Sequence, residues 1–289
     1  MVLETTVLLD GLGFPEGPRW RDGKLWFSDI DENRVMTVDL QGNAETVVEV
    51  PGGPSGLGWL PNGRLQIVSV SGRCLLRLDS EGLTKVADLS ELASDRTNDM
   101  VMDQLGRAYI GNFGYAFLDH TAVPRLANIV MVMPDGKTRI VAEDMAFPNG
   151  MVITPDGQTL IVAESLAARL TAFDITADGS LARRRIWAQF DSRGFAAFDT
   201  SRAFPDGICL DVEGAIWVAS AEGSKEVLRV LEGGKITHRI KVATQPFAAM
   251  LGGHDRRTLF VCTSFLSEGP PGSGRIETVK VEVPGAGLP

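Results

Sequence analysis

The sequence predicts an all-β protein: a six-bladed β-propeller with four antiparallel strands per blade. Three observations predict it. A short motif recurs six times, as Pro15-Glu16-Gly17, Pro54-Ser55-Gly56, Thr97-Asn98-Asp99, Pro148-Asn149-Gly150, Pro205-Asp206-Gly207 and Pro246-Phe247-Ala248. A turn signal follows each motif, at Asp22-Gly23, Asn62-Gly63, Gly106, Asp156-Gly157, Glu213-Gly214 and Asp255. Between these marks lie short runs rich in β-branched and aromatic residues, and the unit repeats every roughly 40 to 57 residues, the period of propeller blades.

The elements follow in order. Residues 1–13 alternate loosely and are expected to form one strand. Blade 1, about 14–50, starts with Glu16 to Trp20 and turns at Asp22-Gly23. It continues with strands at Lys24–Ile30, Arg34–Leu40 and Ala44–Val50. Blade 2 spans about 53–89 and blade 3 about 96–145, the latter with an insertion near 113–126. Blade 4 spans about 147–190, and a loop near 191–202 follows it. Blades 5 and 6 span about 203–243 and 245–283. One blade cannot bury both faces of its sheet, so blades must stack around an axis. A ring left open would expose strand edges, so the first 13 residues are expected to complete the last blade within a single domain, 1–289.

Bulk properties narrow the function. The 289 residues are 44% hydrophobic, enough for a large core, and carry a net charge of −9. No basic footprint for nucleic acid or an anionic membrane is present. Cys74, Cys209 and Cys262 stand at no metal-like spacing and are expected to be buried thiols. The three histidines form no cluster, and the N-terminus lacks the pattern of a signal peptide. A cytoplasmic monomer is the default expectation.

In a propeller the innermost strand of each blade lines the central channel. The six middle residues should therefore crowd one end of it. Four of them, Glu16, Asn98, Asn149 and Asp206, carry oxygen donors. Two carboxylates brought together need a counter-ion. Oxygen-only ligation suits calcium, magnesium or manganese better than the thiolate-rich and imidazole-rich sites of structural zinc. Taken singly, Asn149-Gly150 and Asp206-Gly207 also read as ordinary turn dipeptides.

Phe14-Pro15-Glu16-Gly17-Pro18-Arg19-Trp20, Arg96-Thr97-Asn98-Asp99, Pro148-Asn149-Gly150 and Pro205-Asp206-Gly207 together resemble the four motifs of the senescence marker protein (regucalcin)/gluconolactonase/luciferin-regenerating enzyme family, in the same order. The resemblance covers about residues 10–283. It implies a divalent cation on the axis, calcium first, with zinc, magnesium, manganese or iron also open. It implies Glu16, Asn149 and Asp206 as ligands, with Asn98 as a fourth or as a holder of substrate or water, and Asp206 as general base. By the same resemblance Arg96, Asn98 and Asp99 would hold substrate. The family's sugar lactonases tend to place an acid in the blade-3 insertion, where this chain reads Gly114-Tyr115-Ala116-Phe117. Tyr115 and Phe117 are therefore expected at the substrate. A lactone less polar than a sugar lactone stands open beside a sugar lactone, and the insertion is a candidate lid or a surface loop packed on its own blade.

The expected activity is metal-dependent hydrolysis of a lactone, a small-molecule substrate. Two alternatives use the same axial site: hydrolysis of a phosphotriester or phosphofluoride, and calcium binding without catalysis. Three further features carry no expected function. Trp26, Trp59, Trp187 and Trp217 should pack between blades. Arg183-Arg184-Arg185 reads as a solvated hairpin, and nothing in the sequence promotes Glu164.

Overall fold

The computed structural model describes residues 4–117, 119, 121–191, 203–220, 225–265 and 269–287. Among them lie 24 strands in six four-stranded antiparallel sheets, with one short 3-10 turn at Ser165–Ala167. After β1 (Thr6–Leu12), blade 1 comprises β2 (Pro15–Arg21), β3 (Lys24–Asp29), β4 (Arg34–Val38) and β5 (Ala44–Glu49). Blade 2 comprises β6 (Pro54–Trp59), β7 (Leu65–Ser69), β8 (Cys74–Asp79) and β9 (Gly82–Asp88). Blade 3 is built from β10 (Thr97–Met102), β11 (Ala108–Asn112), β12 (Ala127–Val132) and β13 (Thr138–Met145). β14 (Pro148–Ile153), β15 (Thr159–Glu164), β16 (Arg169–Ile175) and β17 (Leu181–Gln189) form blade 4. β18 (Pro205–Leu210), β19 (Ile216–Ser220), β20 (Glu226–Val230) and β21 (Ile236–Lys241) form blade 5. The last blade contains β22 (Gln245–Gly252), β23 (Thr258–Ser264) and β24 (Gly274–Lys280).

The first strand completes that last sheet. β1 pairs antiparallel with β24, giving the order β1-β24-β23-β22. Inner strands touch their neighbours around the whole ring, β2 to β6, β10, β14, β18, β22 and back to β2. The protein is a closed six-bladed propeller.

Apolar side chains fill the wedges between blades, because each sheet must cover its neighbour's face. Trp26 of blade 1 meets Trp59 of blade 2 edge to face at 5.5 Å, and Trp20 stacks on Phe260 of blade 6 at 5.3 Å. Trp187 packs against Ile216 and Val218 of blade 5, and Trp217 joins the blade 6 core. Cys74, Cys209 and Cys262 are buried free thiols, and burial pushes all three thiol pKa values up, so they remain neutral hydrophobes.

The arginine run lies on the exposed outer arm of the β16–β17 hairpin, as expected: Arg183, Arg184 and Arg185 all belong to β17 and are exposed. Arg183 and Arg185 pair with Asp174. Arg184 reaches inward to Glu164 at 3.2 Å and to the carbonyls of Glu143 and Asp144 in blade 3. Glu164 is fully buried, and it also accepts bonds from Arg169, Thr171 and the Ala146 N–H. Burial would raise its pKa, but these bonds more than offset that and hold the carboxyl below its usual range. Glu164 is a structural tie between blades 3 and 4.

Candidate functional site at the channel axis

The recurring motif marks a β-bulge, not a turn. In each inner strand the ladder register shifts by one residue just after the motif begins. Pro148 faces Glu164 while Met151 faces Val162, and Pro205 faces Ser220 while Ile208 faces Val218. The same shift occurs in β2, β6, β10 and β22. A bulge bends its strand and re-aims the side chain beside it. Here it turns the second residue of each motif toward the axis. The glycines have a separate cause. A Cβ on Gly150 would lie 2.6 Å from the Asp206 carbonyl oxygen, and one on Gly207 would lie 2.5 Å from the Ala248 Cα. Only glycine lets adjacent inner strands approach this closely at the channel.

Glu16, Asn98, Asn149 and Asp206 thus come from four blades to one end of the channel. Asn149 and Asp206 are 6% and 5% exposed, and Asn98 and Glu16 keep part of their surface open to the channel. The amides are oriented by neighbouring chain. Asn98 Nδ2 donates to the Pro148 carbonyl at 3.4 Å, and Asn149 Nδ2 donates to Ser165 Oγ at 3.3 Å. Ser165 in turn donates to the Pro205 carbonyl at 2.7 Å, which ties the turn after β15 to β18. Glu16 Oε2 accepts its own strand's Gly17 N–H at 2.9 Å.

The two carboxyls stand in each other's field. Burial pushes the Glu16 pKa up to about 8; the Gly17 N–H and Arg19 oppose the rise, and Asp99 adds to it. Burial first, then the charges of Glu16 and Asp99, raise Asp206 well above the carboxylate range, against the Asn149 amide and the Gly207 N–H. Asp206 Oδ1 is buried with no hydrogen-bond partner. A buried carboxylate oxygen left unpaired is costly and calls for a cation or a proton.

This donor set fits a hard divalent cation. Its oxygens come from two carboxylates and two oriented amides. Among the described residues no three His, Cys, Asp or Glu side chains gather tightly enough to hold an ion unaided, so the asparagines are needed to complete the set.

Two expected substrate contacts are arranged differently from each other. Asp99 is buried, and its Oδ1 accepts from Arg19 Nη2 at 3.0 Å and from the Met100 N–H at 2.7 Å. One of its oxygens is therefore committed to the channel floor. Arg96 is exposed and, with Asp95, Phe113, Ala116, Phe117 and Asp119, lines a cavity of about 300 Å³. Tyr115 is buried and Phe117 half-buried, and both belong to an apolar cluster with Phe14, Phe113, Phe147, Phe204 and Phe247. The blade-3 insertion packs inward on this cluster through its described residues. Residues 192–202 of the expected loop after blade 4, and His120, lie outside the described residues.

Arg19 and the rings of Phe14, Phe113, Phe147 and Phe204 were missed in the sequence, while Phe117 was expected at the substrate. A signal for the rings was available: Phe-Pro-x-Gly occurs three times, at residues 14–17, 147–150 and 204–207. Arg19 gave none, since a charged residue in an inner strand looks the same whether it faces the channel or solvent.

Fold and axis together define a six-bladed propeller with an oxygen-donor centre at one channel mouth. The model of the SMP-30/Gluconolactonase/LRE-like region matches residues 14–265, and the chain belongs to that family. It is 23% identical over 260 residues to regucalcin of Bos taurus, covering 88% of this chain and 84% of the relative. In structure it resembles a luciferin-regenerating enzyme, with a TM-score of 0.81, 19% identity and coverage of 99% of both chains. It also resembles a calcium-binding regucalcin from Agrobacterium tumefaciens, with a TM-score of 0.78, 23% identity and coverage of 100% and 97%.

Proposed function

We propose that the protein is a metal-dependent hydrolase that opens a lactone at the channel mouth. The observation that carries this reading is the buried, unpartnered Asp206 Oδ1, which lies in the field of the Glu16 and Asp99 carboxyls. Family membership supports lactone chemistry, and the calcium-binding regucalcin among the similar structures supports calcium as the cation to test first.

Glu16, Asn98, Asn149 and Asp206 would hold the cation. When bound, it supplies an electrophile for the lactone carbonyl and offsets the negative charge that develops there on attack. The chain's own residues do the rest. Asp206, kept ionised by the cation it would help to hold, takes a proton from the attacking water, for which its position deep in the channel suits it. Asn98, held by the Pro148 carbonyl, orients the reacting group, and Arg96 at the rim of the mouth holds the body of the substrate. Water adds across the acyl–oxygen bond, and the products are a carboxylate, an alcohol and a proton.

A pH-indicator assay over a lactone panel tests this, using chelator-treated protein with single cations restored. Cation-restored turnover of at least one lactone is expected. Its absence with every cation would overturn the reading.

A further inference from the structure

The mouth above the axial donors is walled by aromatic rings. Phe14, Phe147 and Phe204 each precede the first proline of an inner strand, and Phe247 occupies the axial position of blade 6. Phe113, Tyr115 and Phe117 come from the end of β11 and the insertion after it. The rings are in contact: Phe14 with Phe247 at 4.5 Å, Phe113 stacked on Phe147 at 4.8 Å, and Phe117 against Phe147 at 5.0 Å.

This wall is built at a cost. Phe147 has φ 62, in the left-handed region that bulky side chains seldom enter. The proline after it disfavours compact conformations still further. Such strain persists only where the surroundings over-determine it, and it gathers at functional sites. Here it wedges the Phe147 ring between the insertion and the strand that carries Asn149. Phe113 and Phe117 are half-buried and turn part of their surface to the cavity of about 300 Å³ that they share with Arg96. Polar groups on that cavity come only from Asp95, Arg96 and Asp119 among the described residues. A substrate with a hydroxyl on each carbon would leave several of them against rings that cannot bond them.

Building on the lactone-opening reading, we infer that the substrate is a lactone fused to, or carrying, an aromatic ring. That ring lies against Phe113 and Phe117 while the carbonyl faces Asn98 and the axial donors. Aromatic pairing in offset or edge-to-face geometry favours this over a saturated polyol of equal size. Hydrolysis of a fused substrate breaks the acyl–oxygen bond, water supplies hydroxide to the acyl carbon, and the ring oxygen departs as a phenol.

The test compares dihydrocoumarin, glucono-1,5-lactone and δ-valerolactone on the calcium-loaded protein, each kcat/KM divided by the uncatalysed rate of that lactone. Dihydrocoumarin should exceed glucono-1,5-lactone at least tenfold. In Phe117→Leu, which keeps apolar volume but loses the flat ring, the ratio of dihydrocoumarin to δ-valerolactone should fall by about tenfold, mostly through KM. The melting temperature of the variant confirms that the fold is kept, and Phe113→Leu serves as a second variant. Preference for glucono-1,5-lactone, or an unchanged ratio in both variants, would overturn the aromatic assignment while leaving the lactonase reading standing. Failure to open any of the three with calcium or with any other restored cation would remove the lactonase reading itself.

Discussion

Arg19 and Asp99, on inner strands of blades 1 and 3, form a buried ion pair across the channel, with Arg19 Nη2 3.0 Å from Asp99 Oδ1. Arg19 also donates to the Pro18 and Met100 carbonyls, which fixes its guanidinium beneath the axial donors. It is the positive group that opposes the rise of the Glu16 pKa. Three carboxylates, Glu16, Asp99 and Asp206, therefore share one arginine and leave a charge deficit that a single divalent cation would balance.

Arg19→Met should expose that balance. Breaking a buried pair by removing one partner costs about 3–5 kcal/mol, because the other charge is left uncompensated. The chelated variant should melt well below the chelated wild type. Calcium should then raise the melting temperature of the variant more than that of the wild type, since Asp99 is released toward the centre. Equal calcium-induced shifts in thermal melts would show that Arg19 does not set the charge of the centre.

Glu16→Gln and Asp206→Asn should separate function from stability. Each removes a buried carboxylate whose ionised form is penalised by its surroundings. Turnover should fall by about 10²-fold or more, the usual contribution of a positioned base. The chelated melting temperature should hold or rise, since function-bearing sites are often destabilising. A variant that lost both activity and fold would place these residues among the structural ones.

Stability of the chelated protein should decline from pH 5 to pH 8. Burial raises the folded-state pKa of Glu16 to about 8 from its ordinary 4.5, so between those values the folded chain holds a proton that the unfolded chain has lost. Stability is then fully present below about pH 4.5 and falls as pH rises through the folded value. Asp206 shifts in the same direction. Exposed carboxyls such as Asp79, at about 2, act in the opposite sense, but their contribution is complete above about pH 5. Urea melts at pH 5 and pH 8, with chelator and with calcium, check this. A flat chelated profile, or a decline that Glu16→Gln leaves intact, would refute it.

Gly150→Ala should destabilise the ring without touching a donor group. The added methyl meets the Asp206 carbonyl oxygen and the Gly207 Cα, both backbone atoms that cannot rotate away. Overpacking of this kind costs about 1–3 kcal/mol. Chemical denaturation measures it. Wild-type stability in this variant would mean that the inner strands are less closely set than they stand here.

The blade count, strand order and axial positions were legible because each motif repeats once per blade and places chemistry at the same point of each. Glu16, Asn98, Asn149 and Asp206 could be read as one set on that ground alone. The bulges that aim them could not, since Asn-Gly and Asp-Gly pairs look the same in a strand as in a turn. Arg184 is exposed as read, but its contact with Glu164 was hidden because Glu164 belongs to another strand, and only the sheet order brings them together. The Arg19–Asp99 pair was hidden for the same reason: it crosses the channel, and no sequence spacing encodes which side chains face each other there.

The pairing of β1 with β24 also sets a timetable. On the ribosome β1 emerges before every other strand of the ring and is the last of them to find its neighbour. Thr6–Leu12 must wait, with an open hydrogen-bonding edge, until Gly274–Lys280 has been made. Five blades can stack before then, but the barrel of inner strands has no seal. A centre that draws its oxygens from β2, β10, β14 and β18 can reach its final spacing only when that seal forms. Maturation of the site is thus tied to the synthesis of β24, and until then the exposed strand is the part of the chain most in need of protection from pairing with the wrong partner.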